Sequence, residues 1–225
     1  MGIDASTTIF AIIHAAAWTS LFIQLPCVVQ SVSRRHRRDA ARSESGYKDS
    51  EGLFTDHDIN RAQADSLALY HAFKDCKDEF LAKKLQSAMS TLSDALRLYG
   101  PDQLFASYNG GKDADVTMYL LLALTANYSA EKGVICRPKL IYFAIDDEFQ
   151  EVLTHIKDAQ MSFALNLVTY SGDIVRGITQ HIDDLSANGL NAPAFMLGTR
   201  RGDPNSADQQ AFSPSSEWMP AFMRT

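Results

Sequence analysis

The stretch Ser107-Tyr108-Asn109-Gly110-Gly111-Lys112-Asp113 (SYNGGKD) stands between a short apolar run, Leu104-Phe105-Ala106, and a longer one, VTMYLLLAL from Val116 to Leu124. The first run has the length of a strand and the second that of a helix, so the stretch reads as a strand–loop–helix turn. Gly110 and Gly111 let the backbone turn tightly and approach a ligand closely. The N–H groups at the start of the following helix point at an anion, and the helix dipole adds to the attraction. Lys112 supplies a positive charge, and Asp113 either caps the helix or holds a magnesium ion. The stretch is therefore a candidate phosphate loop. It has neither the Walker spacing nor GxGxxG, and an ordinary strand–helix turn that uses Gly-Gly for its geometry is the competing reading.

Working outward from the loop, the segment Ala62 to Tyr99 carries Leu67, Tyr70, Phe73, Phe80, Leu81, Leu85, Met89, Leu92 and Leu96 mostly at steps of three or four. This is the spacing of two helices or one long bent helix, stopped by Gly100-Pro101. A strand is expected over Leu104–Tyr108 and a helix over about Ala114–Asn127. KLIYFAI (Lys139–Ile145) has the β-branched and aromatic content of a buried strand. DDEFQEVLTHIKDAQ follows as an amphipathic helix opened by acidic residues, FALNLVTYS (Phe163–Ser171) as a third strand, and GDIVRGITQHIDDLSANG as a helix stopped by Gly189. AFMLGTR (Ala194–Arg200) is a fourth strand, and a proline-containing tail closes the chain. The alternation predicts an α/β fold, a parallel sheet with helices on both faces. In such sheets ligands bind beyond the carboxyl ends of the strands, which is where SYNGGKD lies.

Net charge is −6 over 225 residues, and it is unevenly distributed. Residues 1–45 hold five Lys/Arg and three Asp/Glu, a balance of +2, so the remainder carries −8. An acidic body excludes a general nucleic-acid binder, which needs basic surface to neutralise phosphates. From Ala5 to Ser33 there is no charged residue, and IFAIIHAAAWTSLFIQLPCVV is followed by RRHRR, Arg34 to Arg38. The run is long enough to span a bilayer once, which makes residues 8–29 a candidate membrane contact. The basic cluster would leave the body facing the cytosol, so the expected location is cytoplasmic with a membrane anchor. An organelle presequence, a soluble helix and a misassigned start are the alternatives, and His14, Gln24 and Pro26 weaken a span. The division expected is an apolar segment with a polar linker over 1–60 and one globular domain over 61–225. Cys27, Cys76 and Cys136 show no metal-type spacing and read as reduced thiols.

SYNGGKD resembles the loop of the PP-loop ATP pyrophosphatases near their PAPS-reductase-like branch, and within it that of eukaryotic FAD synthases, the FMN adenylyltransferases. Ala114 stands where that family usually has Ser or Cys. A second block, Met196 to Arg224, is similar to the family's G-x-R-x-x-D-P and W-P-x-F-M-R segments through Gly198, Arg200, Asp203, Pro204, Trp218, Pro220, Phe222, Met223 and Arg224, with Met219 inserted between Trp218 and Pro220. Phe149, Glu151 and Val152 fit a third, weaker motif in which Gln150 replaces Pro. The resemblance covers about Ala64 to Arg224. It implies an adenine-nucleotide alpha-hydrolase-like (PP-loop) fold and a nucleotidyltransferase that converts FMN and ATP to FAD and pyrophosphate, with Mg2+ as cofactor.

The resemblance also implies roles. Ser107, Tyr108, Asn109, Gly110, Gly111, Lys112 and Asp146 would bind ATP. Asn109, Lys112, Asp113 and Arg200 would be catalytic, with Asp113 the candidate metal ligand. Arg200, Arg201, Asp203, Trp218, Phe222 and Arg224 would bind FMN, the two aromatic residues as an apolar wall beside the flavin ring. Packing explains Trp218 and Phe222 equally well, and helix capping explains Asp146 and Asp147. His155 and His181 read as surface or packing residues without a partner. The family normally continues past F-M-R, so the domain is expected to be C-terminally truncated. The alternatives are a catalytically inactive, membrane-tethered nucleotide-binding remnant and a PAPS-type reductase. The reductase needs a nucleophilic cysteine, usually in a C-terminal segment, and no cysteine follows Cys136.

Overall fold

A computed structural model describes residues 52–145, 147–191, 193–198 and 210–225. Two helices lead: α1 (Asp56–Lys74) and α2 (Glu79–Tyr99). The α1 N-terminus is a capping box in which the Thr55 hydroxyl and the Asp58 carboxylate each satisfy the other's backbone N–H, at 3.2 and 3.1 Å. Helix therefore begins six residues before Ala62, inside the stretch read as a linker through Asn60. The Asp78 carboxylate caps α2 through Leu81 N at 2.9 Å, and Gly100 ends it with φ at +72°, as the Gly-Pro pair predicts.

The alternating units follow as β1 (Leu104–Ser107), α3 (Lys112–Lys132), β2 (Lys139–Ala144), α4 (Gln150–Phe163), β3 (Asn166–Ser171), α5 (Ile174–Ala187) and β4 (Ala194–Met196). Two very short strands, β5 (Ser213–Pro214) and β6 (Met223–Arg224), complete a sheet of order β3-β2-β1-β4-β6-β5. All neighbours are parallel except β5 and β6. The parallel α/β expectation is met, and the C-terminal block, read as tail, instead extends the sheet beside β4.

Alternate residues of β1 face opposite layers, as a pleated strand requires. Leu104 and Ala106 join Leu140, Tyr142 and Met196 in a large core beneath α1 to α4. Phe105 joins Ile141, Phe195 and Phe222 in a smaller one beneath α5. Helices thus cover both faces. Because α3 is buried along most of its length, its sequence is apolar on nearly every side. Ala164 ends α4 in the left-handed region, φ +47°, a strained position for a residue with a Cβ. Its carbonyl accepts two N–H groups of the Arg137 guanidinium, at 2.7 and 3.1 Å, which ties the β2 entry to the β3 entry.

Candidate phosphate site

The loop sits at the carboxyl end of the central strand. Tyr108 N–H donates to Ile141 O at 2.8 Å, so the β-ladder runs one residue past β1 before the chain turns. Gly110 then takes φ +71°. A Cβ there would lie 3.0 Å from Ile156 Cγ1 and 3.3 Å from Val152 Cγ1 of α4, so conformation and space both require glycine. Asn109 Oδ1 accepts from Gly111 N–H at 3.0 Å, closing the turn and leaving the amide Nδ2 as the group that can donate outward.

Helix α3 starts at Lys112, two residues earlier than Ala114, with Gly111 as its N-cap and no side-chain cap bond. The first-turn amides are therefore available to an external anion at the positive end of a 21-residue helix. Lys112 is exposed, and Asp113 half-buried, on that same turn. A cation at this end opposes the helix dipole in the absence of an anion, so the arrangement favours a bound phosphate. The end of β4 reaches the same place: a Cβ on Gly198 would be 3.1 Å from Thr117 Oγ1 and 3.8 Å from Asp113 O.

The remaining sequence-derived residues divide three ways. Ser107 ends β1, half-buried, beside the loop. The Tyr108 ring is wholly buried and its hydroxyl donates to Asp115 Oδ1 at 2.8 Å; its side chain faces the core, so only its backbone borders the loop. Phe222 is packed against Phe195, centroids 4.7 Å apart, beneath the sheet, whereas Trp218 is 69% exposed on the turn from Ser216 to Met219. The two do not form one apolar wall: Trp218 stands out on the turn, whereas Phe222, next to β6, packs into the α5-side core. Arg224 Nε donates to Pro214 O at 2.9 Å, which commits part of its guanidinium to the β5–β6 ribbon. Asp146, Arg200, Arg201 and Asp203 lie outside the described residues. Asp147 and Glu148 precede α4, whose N-cap is Phe149, so they do not open the helix as expected. Burial first, and the Glu148 carboxylate second, push the nearby Tyr142 phenol up.

One cluster escaped sequence reading. His155 Nε2 of α4 lies 3.1 and 3.0 Å from Asp115 Oδ1 and Oδ2, so His155 has a partner after all. Asp115 is 6% exposed, and its amide donates to Gly111 O at 2.9 Å. A cleft of about 400 Å3 opens beside the pair between α3 and α4, with Glu151 and Asp158 on its rim. Exposed Ile145 and Phe149 mark the carboxyl edge after β2. Among the described residues no group of three or more His, Cys, Asp or Glu is placed to hold a metal.

Comparison with known proteins follows the motifs. No family model matches the chain. It is 27% identical over 152 residues to a probable FAD synthase of Caenorhabditis briggsae, covering 65% of this chain and 28% of that protein. It is 25% identical over 146 residues to a probable FAD synthase of Schizosaccharomyces pombe, covering 64% and 54%. The chain thus spans from about a quarter to just over half the length of these curated relatives. Among solved structures, Candida glabrata FMN adenylyltransferase with FAD and inorganic pyrophosphate superposes with a TM-score of 0.60 at 19% identity, covering 74% of this chain and 59% of that one. The same enzyme with FMN and the ATP analogue AMPCPP gives 0.59 at 20% identity, with the same coverage, and yeast FAD synthetase with FAD gives 0.56 at 20%, covering 74% and 61%. These likenesses establish the fold and bear out the resemblance to eukaryotic FAD synthases read from the loop and the C-terminal block.

Proposed function

We propose that this chain transfers the adenylyl group of ATP to FMN, giving FAD and pyrophosphate. The observation that carries the proposal is the loop Asn109–Gly111: glycine-shaped, at the carboxyl end of the central strand, opening onto an uncapped helix N-terminus that begins with Lys112. The similarity to FAD synthases on the same fold supports the choice of substrates.

In this reading an oxygen of the FMN phosphate attacks the α-phosphorus of ATP in line. The bond from the α-phosphorus to the bridging oxygen breaks, and pyrophosphate leaves with its electron pair. The protein contributes alignment of two anions and fixed positive charge. The α3 amides hold the phosphates that become pyrophosphate. Asn109 Nδ2 donates to an α-phosphate oxygen. Lys112 offsets charge on the leaving group. Arg200 and Arg201 follow Gly198 in the sequence, and in this reading a guanidinium of the pair forks onto the FMN phosphate, with Asp203 ordering it. Trp218 and Arg224 remain candidates for the flavin side.

The donor set suits magnesium, which takes one or two carboxylates and completes its shell with phosphate oxygens and water. Asp113, half-buried on the first turn beside the loop, would hold it. When bound, the ion neutralises phosphate charge. We also place the body of the chain on the cytosolic side of a membrane contacted by residues 8–29, a reading supported by the uncharged run and the basic cluster that follows it.

The test is to incubate the purified protein with FMN, ATP and magnesium and separate the flavins by chromatography. FAD is expected from the wild type, and kcat/KM should fall about 100-fold in Lys112→Ala and in Asn109→Ala, the scale for losing one donor to a developing charge. Absence of FAD from a folded sample that still binds ATP would refute adenylyl transfer and favour a nucleotide-binding remnant.

A further inference from the structure

Resting on the reading of the loop as the ATP phosphate site, we infer that Asp115 and His155 are positioning residues that hold the loop in its phosphate-binding shape without touching the nucleotide. Asp115 holds the loop entry from the first turn of α3. Its carboxylate accepts from the hydroxyl of Tyr108, the residue that enters the loop, while its backbone makes the first helical bond of α3 to the carbonyl of Gly111, where the loop ends. Between these points the chain has only Asn109, left-handed Gly110 and an N-cap without a side-chain bond.

A buried carboxylate needs donors on its oxygens. Tyr108 supplies one, and His155 spans both oxygens from the neighbouring helix. Helix α4 therefore meets the loop at two points. Val152 and Ile156 form the wall against Gly110, and His155, next to Ile156 on the same turn, bonds Asp115. If His155 is removed, Asp115 keeps only part of its shell. The restraint on Tyr108 and the loop entry then weakens, while the sheet and the apolar wall stay intact. The loop amides would have to be ordered by the nucleotide itself, and affinity falls by the cost of that ordering. The bland alternative is an acidic residue that merely favours a helix N-terminus. It predicts altered stability with unchanged nucleotide affinity.

The experiment is calorimetric titration of MgATP into the full chain, paired with KM values for ATP and FMN from flavin chromatography. Circular dichroism establishes folding of each variant. Half-exposed His155 makes His155→Ala the variant of choice, with Asp115→Asn beside it. His155→Ala should weaken ATP binding about ten-fold and change the KM for FMN by less than two-fold. His155→Gln, which keeps a side-chain N–H donor, should recover most of the loss. Asp158→Asn, on the rim of the same cleft, should leave ATP affinity unchanged. Wild-type affinity in His155→Ala, equal losses for ATP and FMN, or no recovery in His155→Gln would overturn the inference. If the wild type binds ATP but makes no FAD, the titrations still decide the positioning role while adenylyl transfer fails. If it binds no ATP, both fail.

Discussion

His181 is a titratable ring sealed, at 5% exposure, into the core beneath α5. Its Nδ1 is 2.9 Å from Tyr170 OH, and that hydroxyl is 3.2 Å from Asp184 Oδ2. The phenol has one proton to give, and the carboxylate can only accept. The network is therefore satisfied when His181 Nδ1–H donates to Tyr170 and Tyr170 donates to Asp184. Nε2 then carries a lone pair with no hydrogen-bond partner, in a cage that includes Phe105 at 4.3 Å and Phe195 at 6.0 Å between centroids. A second proton would have no acceptor. Burial accordingly pushes the imidazole down to about 4, against the pull of Asp184 and with help from Lys139. The folded state thus stays neutral where the unfolded chain, near 6.5, takes a proton, so acid favours unfolding. Stability should be intact above about pH 6.5 and should fall, on the order of 2–3 kcal/mol, as pH drops toward 4. Urea titrations from pH 7 to 4.5 check this against His181→Asn, whose stability should depend less on pH; parallel pH profiles would refute it. For His181 the reading as a surface or packing residue left its burial open, and it missed the Tyr170 partner. The partner of His155 was not legible either, since Asp115 lies 40 positions away and only the β1–α3–β2–α4 path brings them together.

At the scale of elements, Gly177 shows what sequence periodicity omits. It lies in the first turns of α5, where a glycine weakens a helix, yet α5 crosses the sheet so closely that a Cβ there would be 2.8 Å from the Phe143 ring and 3.1 Å from Tyr170 Cβ. Alanine would gain about 1 kcal/mol of helix propensity but force the ring or the helix to move, which costs typically 1–3 kcal/mol. Gly177→Ala should therefore destabilise the fold by about 1 kcal/mol, and adding Phe143→Leu should return part of that loss. A Gly177→Ala protein more stable to urea than the wild type would show that α5 simply shifts. The long periodic elements were readable because their apolar faces repeat. The strands β5 and β6 were not, since elements of two residues carry no period, and β6 is placed by its pairing with β4. The start of α1 escaped because its signal is a polar capping box rather than an apolar stripe. The strand–loop–helix turn was legible almost completely, as its residues are contiguous in sequence. The contact of Asp115 with His155 was not, and for Phe222 the packing alternative is the one that its burial bears out.

Across the whole molecule charge is segregated. In the proposed reaction an acidic body would bind two anionic substrates, and the positive potential for them would be concentrated locally, at the α3 N-terminus and Lys112. The opposite charge balance belongs to the first 45 residues, where an uncharged stretch from Ala5 to Ser33 runs into RRHRR. No described helix is long and apolar enough to cross a membrane, and the uncharged stretch lies outside the described residues. A run of this length matches one bilayer crossing, and we propose that the arginines on its C-terminal side keep the following chain in the cytosol. The full chain, made with microsomal membranes, should resist carbonate extraction, and protease added without detergent should digest the body. Ala16→Arg places a charge at the middle of the run, where insertion costs about 2.5–3.5 kcal/mol, and should shift most of the protein to the soluble fraction. Equal extraction of wild type and variant would mean that the apolar run does not hold the protein in the bilayer. Protection of the body from protease would mean that the run inserts with the opposite orientation, which would separate the phosphate loop from cytosolic ATP.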